Sequence, residues 1–313
     1  MSTPIEPSWD LYGAFLAVMQ TGSLSGASRM LRVAQPTVRR QIEALEEALG
    51  VALFTRAQNG LTPTEVARTT LPHAEAIAAS ARALVRSVSA PIDADRGTVR
   101  ITCSEIVGAE VLPKMLAPLV HAHPGLAIEL VLNNRNEDLL RREADVAVRM
   151  IAPTQAGLVR KRAGVIELGL YATAGYLAAH PAPRTLAQLA TSHALIGPDR
   201  NRGAFDALAA AGMPISHRDL TLATDNDLAQ LASVRAGLGI GICQRPIAGS
   251  LVRVLPAHRF TLEAWVVTHE DLKDVRRVRL VMDHLTTELA RYASARAQPE
   301  IGRKSRRSRP KGA

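Results

Sequence analysis

Apolar residues in the first fifty positions recur at helical spacing, in three separate runs. Between Asp10 and Val18, residues Leu11, Ala14, Phe15 and Val18 fall on one face of a helix. Leu24, Ala27 and Leu31 repeat at three and four residues in the second run, for which Ser23 is a good N-cap. In the third, Val38, Ile42, Leu45 and Leu49 form one inward-facing stripe; Pro36 suits its first turn and Gly50 the position just past its end. Gln35, Thr37, Arg39, Arg40 and Gln41 face away from that stripe, and such side chains reach phosphates and base edges in a major groove. Residues 23–42 therefore read as a helix-turn-helix, although a solvated helical hairpin is the plainer reading of that segment alone. Val51 to Arg56, the turn signal Asn59-Gly60, and Leu61 to Thr64 then predict a basic two-stranded wing.

Helical spacing returns after the wing. Thr62-Pro63-Thr64-Glu65 has the form of a capping box with proline at the first helical position, opening a helix towards Ser87. Pro72 inside it predicts a kinked or weakened turn. Ile77, Ala81, Leu84 and Val88 repeat at four, three and four residues, which is coiled-coil spacing, although the helix could equally pack on its own domain. Pro91 to Asp95 reads as a hinge.

From Gly97 onward short apolar strands alternate with helices. Val99 to Cys103, Ala127 to Leu132 and Ala144 to Val148 read as strands, with Val111 to Ala122 and Glu137 to Arg142 as helices between them. A second set runs through Leu168 to Thr173, Ala194 to Ile196, a strand–helix step from Leu220 to Ala236, and Ile240 to Cys243. Trp265 to Thr268 returns as a strand, and Val278 to Tyr292 closes as a helix. This alternation predicts a mostly parallel α/β sheet with helices on both faces, divided into two lobes joined by crossing strands. Ligands in such sheets sit beyond the carboxyl ends of strands, near helix N-termini. Ser104, Asn134, Arg149, Asp225 and Asn226 occupy such ends and would converge on one crevice; each is otherwise an ordinary cap or turn residue. Ser104 with a helix dipole suits an anion, whereas Glu105 and Asp225 argue the other way, so the ligand charge stays open.

Phe15, Gly22-Ser23, Ala27, Leu31, Gln35-Pro36, Gln41-Ile42, Leu45-Glu46, Leu49-Gly50, Leu53-Phe54, Arg56 and Leu61-Thr62 keep the order and spacing of a known family. In them the chain resembles the LysR-type transcriptional regulators. Arg142 to Arg149 and Arg235 to Ile240 look like landmarks of the same family, and the resemblance covers roughly residues 9–292. It implies a winged helix-turn-helix (residues 8–65), a linker helix through which members dimerise (66–90), and a two-lobed α/β effector-binding domain (92–294). The DNA-binding set it implies is Ser23, Gln35, Pro36, Thr37, Arg39, Arg40, Gln41 and Arg56, and the dimer seam Ile77, Ala81, Leu84 and Val88. It gives particular weight to Ser104 and Arg149 as effector contacts. Implied partners are double-stranded promoter DNA, a small-molecule effector and further copies of the chain as homodimer or homotetramer, with RNA polymerase a further candidate. There are departures. Ala34 stands where members commonly carry a capping Ser, Arg39 replaces a Ser inside the recognition helix, and Ala67 replaces a Gly early in the linker helix.

Composition changes the picture little. The chain has 313 residues, 47% apolar, with a formal charge of +9 that favours a polyanionic partner. Six of those positive charges lie in the stretch from Gly302 to Ala313, so the recognition helix is the better evidence for DNA. That stretch, within a tail placed at 295–313, is too polar and charged to bury a core and is expected to be disordered. No export signal is visible in MSTPIEPSWDL and no run suits a membrane helix, which leads to the expectation of a cytoplasmic protein. Cys103 and Cys243 are the only cysteines; two buried thiols explain them better than a redox switch. His121 and His123 lack further metal ligands nearby, and His269-Glu270-Asp271 reads as a loop. No catalytic residues, metal or cofactor are therefore expected. The rival readings are an unexported small-molecule receptor and an enzyme using the crevice.

Overall fold

The computed structural model describes residues 7–57, 60–88, 91–134 and 144–295. The expected helix from Glu137 to Arg142, Asn59 of the wing turn and the basic tail beyond Ala295 lie outside the described residues. The described chain divides into two compact units, 7–88 and 91–295.

The first unit contains α1 (Trp9–Thr21), α2 (Leu24–Leu31), α3 (Gln35–Leu49), β1 (Phe54–Ala57), β2 (Gly60–Pro63) and α4 (Glu65–Ser87). Ala14, Phe15, Val18, Ala27, Val38, Ile42 and Leu45 are buried together with Leu53, and Ala67 and Ala74 of α4 join them. Leu49 does not belong to the stripe. As the last residue of α3 it lies past the packed core and is 38% exposed. Gly50 ends α3 in the left-handed region and donates its N–H to the Glu46 carbonyl.

Side-chain caps set the joints of this unit. The Glu46 carboxylate accepts from the backbone N–H of Leu53 at 2.6 Å and of Phe54 at 3.0 Å, tying α3 to the first wing strand. At Gly60, φ is +138°, and a Cβ there would sit 2.6 Å from the Gly22 carbonyl oxygen. Only glycine lets β2 approach closely enough for Leu61 N–H to donate to that carbonyl at 3.0 Å. The start of α4 differs from the expected capping box. Pro63 ends β2 opposite Phe54, and Thr64 is the cap, its hydroxyl accepting from Ala67 N–H at 3.2 Å. The helix continues through Pro72 to Ser87.

The second unit begins with β3 (Gly97–Cys103), a π-helical turn (Val107–Val111), α5 (Leu112–Ala122), β4 (Leu126–Leu132) and β5 (Val146–Arg149). Then come β6 (Leu158–Ala172), α6 (Ala174–Ala179), α7 (Leu186–Ser192), β7 (Leu195–Gly197), α8 (Arg202–Ala210), β8 (Leu222–Ala223), α9 (Asp227–Arg235) and β9 (Ile240–Gln244). The chain closes with β10 (Val252–Val254), β11 (Phe260–His269) and α10 (Arg276–Ser294). One sheet runs β4-β3-β5-β11-β6-β9-β7-β8, with β10 also on β6.

The sheet is mixed rather than mostly parallel. β3 pairs parallel with β4 and β5, and β7 with β8 and β9, but β11 runs antiparallel to both β5 and β6, and β6 to β9 and β10. The two parallel sets are the lobes, and β6 and β11 are the strands that cross between them. Ala163, Ile166, Ala264 and Val266 of those strands pack with Val278, Val281, Leu285 and Leu289 of α10 in the principal core. Leu170, Leu189, Leu195, Leu208 and Ile240 form a second core in the other lobe.

The Glu46 clamp yields a stability prediction. Glu46→Ala removes the acceptor for two backbone donors and should cost the first unit about 1.5–3 kcal/mol, the range for hydrogen bonds to a charged group. Urea unfolding of the full chain measures it; an unchanged midpoint would show that water replaces the carboxylate without loss.

Candidate nucleic-acid interface and ligand crevice

Burial of Val38, Ile42 and Leu45 turns the opposite face of α3 outwards. Gln35, Pro36, Arg39 and Arg40 are exposed there, and Arg56 is exposed on β1 of the wing. Thr37 and Gln41 are half-buried, and the Gln41 Oε1 is covered and has no hydrogen-bond partner among the described residues. Ser23 serves the fold first, because its Oγ accepts from Gly26 N–H at 3.0 Å and so caps α2. Ala34 supplies no such side-chain cap to α3. Two further cations of this unit, outside the expected set, are exposed. Arg29 and Arg32 are exposed on α2 and in the turn after it. Arg32 adopts the left-handed region at φ 57° to end α2. A count of cations around the turn, rather than on α3 alone, would have found both.

The seam residues of α4 differ in exposure. Ile77 is 42% exposed, Leu84 66% and Val88 76%, while Ala81 is half-buried. Val85, absent from the heptad reading, is 68% exposed beside them.

In the second unit the expected ligand residues divide into two groups. Asn134 and Asn226 come together through Glu105. The Asn134 Oδ1 accepts from Glu105 N–H at 3.1 Å, and Asn226 Nδ2 donates to Glu105 Oε2 at 2.6 Å. Ser104 adjoins them, half-buried at the end of β3, where its carbonyl accepts from Gly108 N–H. Asn226 also caps α9 through its Oδ1, which accepts from Ala229 N–H at 2.8 Å. Nearby, Arg235 of α9 makes a two-point ion pair with Glu110 in the π-helical turn, at 2.7 and 2.8 Å. Glu105 was not among the expected contacts, yet it follows Ser104 at the same strand end and the same rule would have selected it.

Asp225 and Arg149 are placed differently. The Asp225 carboxylate accepts from the backbone N–H groups of Asp199, Arg200 and Asn201 at 2.9–3.1 Å, so it holds a loop. Desolvation pushes its pKa up, but these three bonds, Arg200 foremost, outweigh it and leave the pKa below the ordinary carboxylate value. Arg149 ends β5 with only 7% of its surface exposed, and its Nη1 donates to the Val148 carbonyl. Asp227, at the start of α9, is pushed the other way: desolvation first, then the charges of Glu105 and Asp225, raise its pKa. Both cysteines are buried free thiols, and desolvation pushes each up to about 12. Of the histidines, His121 Nδ1 lies 2.6 Å from the Ala117 carbonyl and His123 pairs with Asp95.

Asp225→Asn should loosen that loop. It leaves a single acceptor oxygen for three donors, so the amides of residues 199–201 should exchange several-fold faster while those of α10 keep their rates. Because the Asp225 pKa is depressed, its contribution holds above the ordinary carboxylate pKa and fades as the pH falls through the folded value. Hydrogen exchange at neutral pH measures the difference, and equal protection in the variant would make the three bonds dispensable.

Two family models account for most of the chain. One describes bacterial regulatory helix-turn-helix proteins of the lysR family and matches residues 9–68; the other, the LysR substrate binding domain, matches residues 93–290. A curated relative, the Mau operon transcriptional activator of Paracoccus denitrificans, is 28% identical over 56% of this chain and 64% of its own length. Matches to the first curated relatives span only 50–64% of those proteins. Among solved structures, CrgA, a LysR-type transcriptional regulator from Neisseria meningitidis, has a TM-score of 0.57 at 23% identity, covering 91% of this chain and 99% of that one. Full-length CbnR complexed with its target DNA has a TM-score of 0.64 at 19% identity, covering 91% and 100%. At these identities the structural likeness establishes the fold.

Proposed function

Because this chain belongs to the lysR family of bacterial regulatory helix-turn-helix proteins, we propose that it regulates transcription by binding promoter DNA as a dimer or tetramer under the control of a small-molecule effector. The observation that carries this reading is the outward face of α3. Gln35, Pro36, Arg39 and Arg40 are exposed along one side of a helix whose other side is core, and Arg56 flanks them on the wing. That CbnR was solved in complex with its target DNA supports the same use of a shared fold. The proposed division is residues 8–65 for DNA, 66–90 for dimerisation, 92–294 for the effector and 295–313 as a basic tail. The effector is assigned to Ser104, Asn134 and Asn226, with Glu105 between the two asparagines, and to Arg149 and Asp225 at neighbouring strand ends. RNA polymerase is a proposed further partner, and the cytoplasm is the proposed location. The family is one of regulators, which weighs against the enzyme reading. Among the described residues no helix is long and apolar enough to cross a membrane.

Direct readout is assigned to Gln35, Thr37 and Arg40, and phosphate contact chiefly to Arg39 and Arg56. Arg40→Ala should cost roughly 1–3 kcal/mol on the cognate site and relax discrimination at one base pair. Arg56→Ala should weaken all sequences alike and flatten the salt dependence by about one unit of slope. Binding titrations on cognate and random duplexes separate the two; equal losses for Arg40→Ala on both would remove it from the base-reading set.

Assembly is assigned to the exposed stripe of α4. Leu84→Glu places a charge in the proposed seam and should split the dimer, abolishing binding to an operator of two half-sites while a single half-site still binds weakly. Sedimentation of the variant gives the answer, and an intact dimer would move the interface elsewhere.

A further inference from the structure

Away from the crevice, three arginines converge on one carboxylate. Glu167 of β6 accepts from Arg253 Nη1 at 2.6 Å through Oε1 and from Arg245 Nη1 at 3.0 Å through Oε2, and Arg259 Nε stands 3.9 Å from Oε1. The arginines hold the Glu167 carboxyl below its ordinary pKa, Arg253 first. One negative charge thus faces three guanidinium groups, an excess of two positive charges on the strand where β9, β10 and β11 all meet β6.

Arg253 is the member whose bonding is incomplete. Its Nη1 is spent on Glu167, while Nε and Nη2 are covered and have no hydrogen-bond partner among the described residues. Nε and Nη2 form the side-on edge of a guanidinium, whose two parallel N–H bonds match the oxygens of a carboxylate or phosphate. A desolvated charged donor pair is costly unless something accepts from it. The placement of this edge is built into the backbone. A Cβ on Gly169 would lie 3.0 Å from Arg253 Nε, 3.2 Å from Cζ and 3.3 Å from Nη2, so the guanidinium rests closely over the glycine and would have to give by a few tenths of an ångström to accommodate a larger residue. Glu167, Gly169 and Tyr171 alternate along β6, and Arg253 is registered opposite Tyr171, so the guanidinium lies back along the strand over the glycine towards the glutamate.

We propose that Arg253, with Arg245 and Arg259, forms a second binding site for a small oxyanion, separate from the crevice at Ser104 and Asn226. The anion takes the Nε–Nη2 edge of Arg253 side-on, and Arg259, 66% exposed and 3.9 Å from Glu167 Oε1, supplies a further cation to it. The chemistry selects a carboxylate or a phosphate group, because both present two oxygens at the spacing of that edge; chloride presents a single point of contact.

Thermal unfolding of the full chain in potassium phosphate, potassium acetate and potassium chloride at equal ionic strength tests this. Phosphate or acetate should raise the midpoint saturably above the chloride curve, and the anion that saturates at the lower concentration identifies the source. Arg253→Met keeps the stem on Gly169 and removes the edge, so it should abolish the anion-specific rise; Arg259→Ala should weaken it several-fold. Phosphate held by the helix-turn-helix surface would stabilise Arg253→Met as much as the parent chain, and that result would overturn the proposal. Should Arg253→Met fold poorly, phosphorus NMR of the parent chain supplies a second measurement. One saturable, acetate-competed site weakened several-fold in Arg259→Ala supports the assignment, whereas linear broadening unaffected by that substitution refutes it. A rise absent in all three salts would leave a buried water as the partner of the edge and equally end the proposal.

Discussion

The antiparallel pairing of β6 with β11 is the constraint on which the second unit depends. Ten residue pairs register the two strands, from Leu168 opposite Phe260 to Leu158 opposite His269, with one irregularity at Ala264 and Trp265. Among the described residues no other pairing in the sheet is as long. Because β11 borders one parallel set through β5 and β6 the other through β9, these two strands join the lobes, and α10 packs against them with Val278, Val281, Leu285 and Leu289. The strand ends that carry Ser104, Arg149 and Asn226 are aimed by this frame. Burying polar backbone between lobes would be costly unless continuous hydrogen-bonded strands did the bridging.

The first unit achieves its geometry by other means. It is too small to rely on area alone, and its joints are set by single polar groups: the Ser23 cap on α2, the Glu46 clamp between α3 and β1, and the Thr64 hydroxyl at the head of α4. Each satisfies backbone donors at a helix end or strand start. Arg39, Arg40 and Gln35 are left out of this network and remain available at the surface. The division of labour is physical: residues that bond the backbone shape the unit, and those that do not face outwards.

Local periodicity made α1, α2 and α3 legible, since apolar spacing, Pro36 and Gly50 all act within one helix. Leu49 misled because periodicity says which face a residue is on but not where the core ends along the helix. The start of α4 misled because Thr62-Pro63 fits both a capping box and the second wing strand, and only pairing with Phe54 decides between them. In the second unit the strand cores were visible but their directions were not. Alternating strand and helix suggested parallel pairing, while the 15-residue β6, with Arg160, Lys161 and Arg162 near its start, hid its first ten residues from an apolar pattern. The candidate ligand residues were read as positions at strand ends, and that rule cannot distinguish Asn226, which meets Glu105, from Asp225, which is consumed by three backbone amides. Which donors a carboxylate meets depends on a loop 24 to 26 residues away.

The two buried thiols have a practical consequence. With Cys103 and Cys243 both pushed up to about 12, each has a thiolate fraction at neutral pH on the order of a thousandfold below that of a surface cysteine near 8.5. The thiolate is the nucleophile that attacks maleimide and thiosulfonate spin-label reagents, so a cysteine introduced on α3, α4 or the rim of the crevice would be modified while the native pair stays unreacted. Distance measurements between labelled positions could thus be made in the unaltered cysteine background, without first replacing two core side chains whose removal would open voids beneath the sheet.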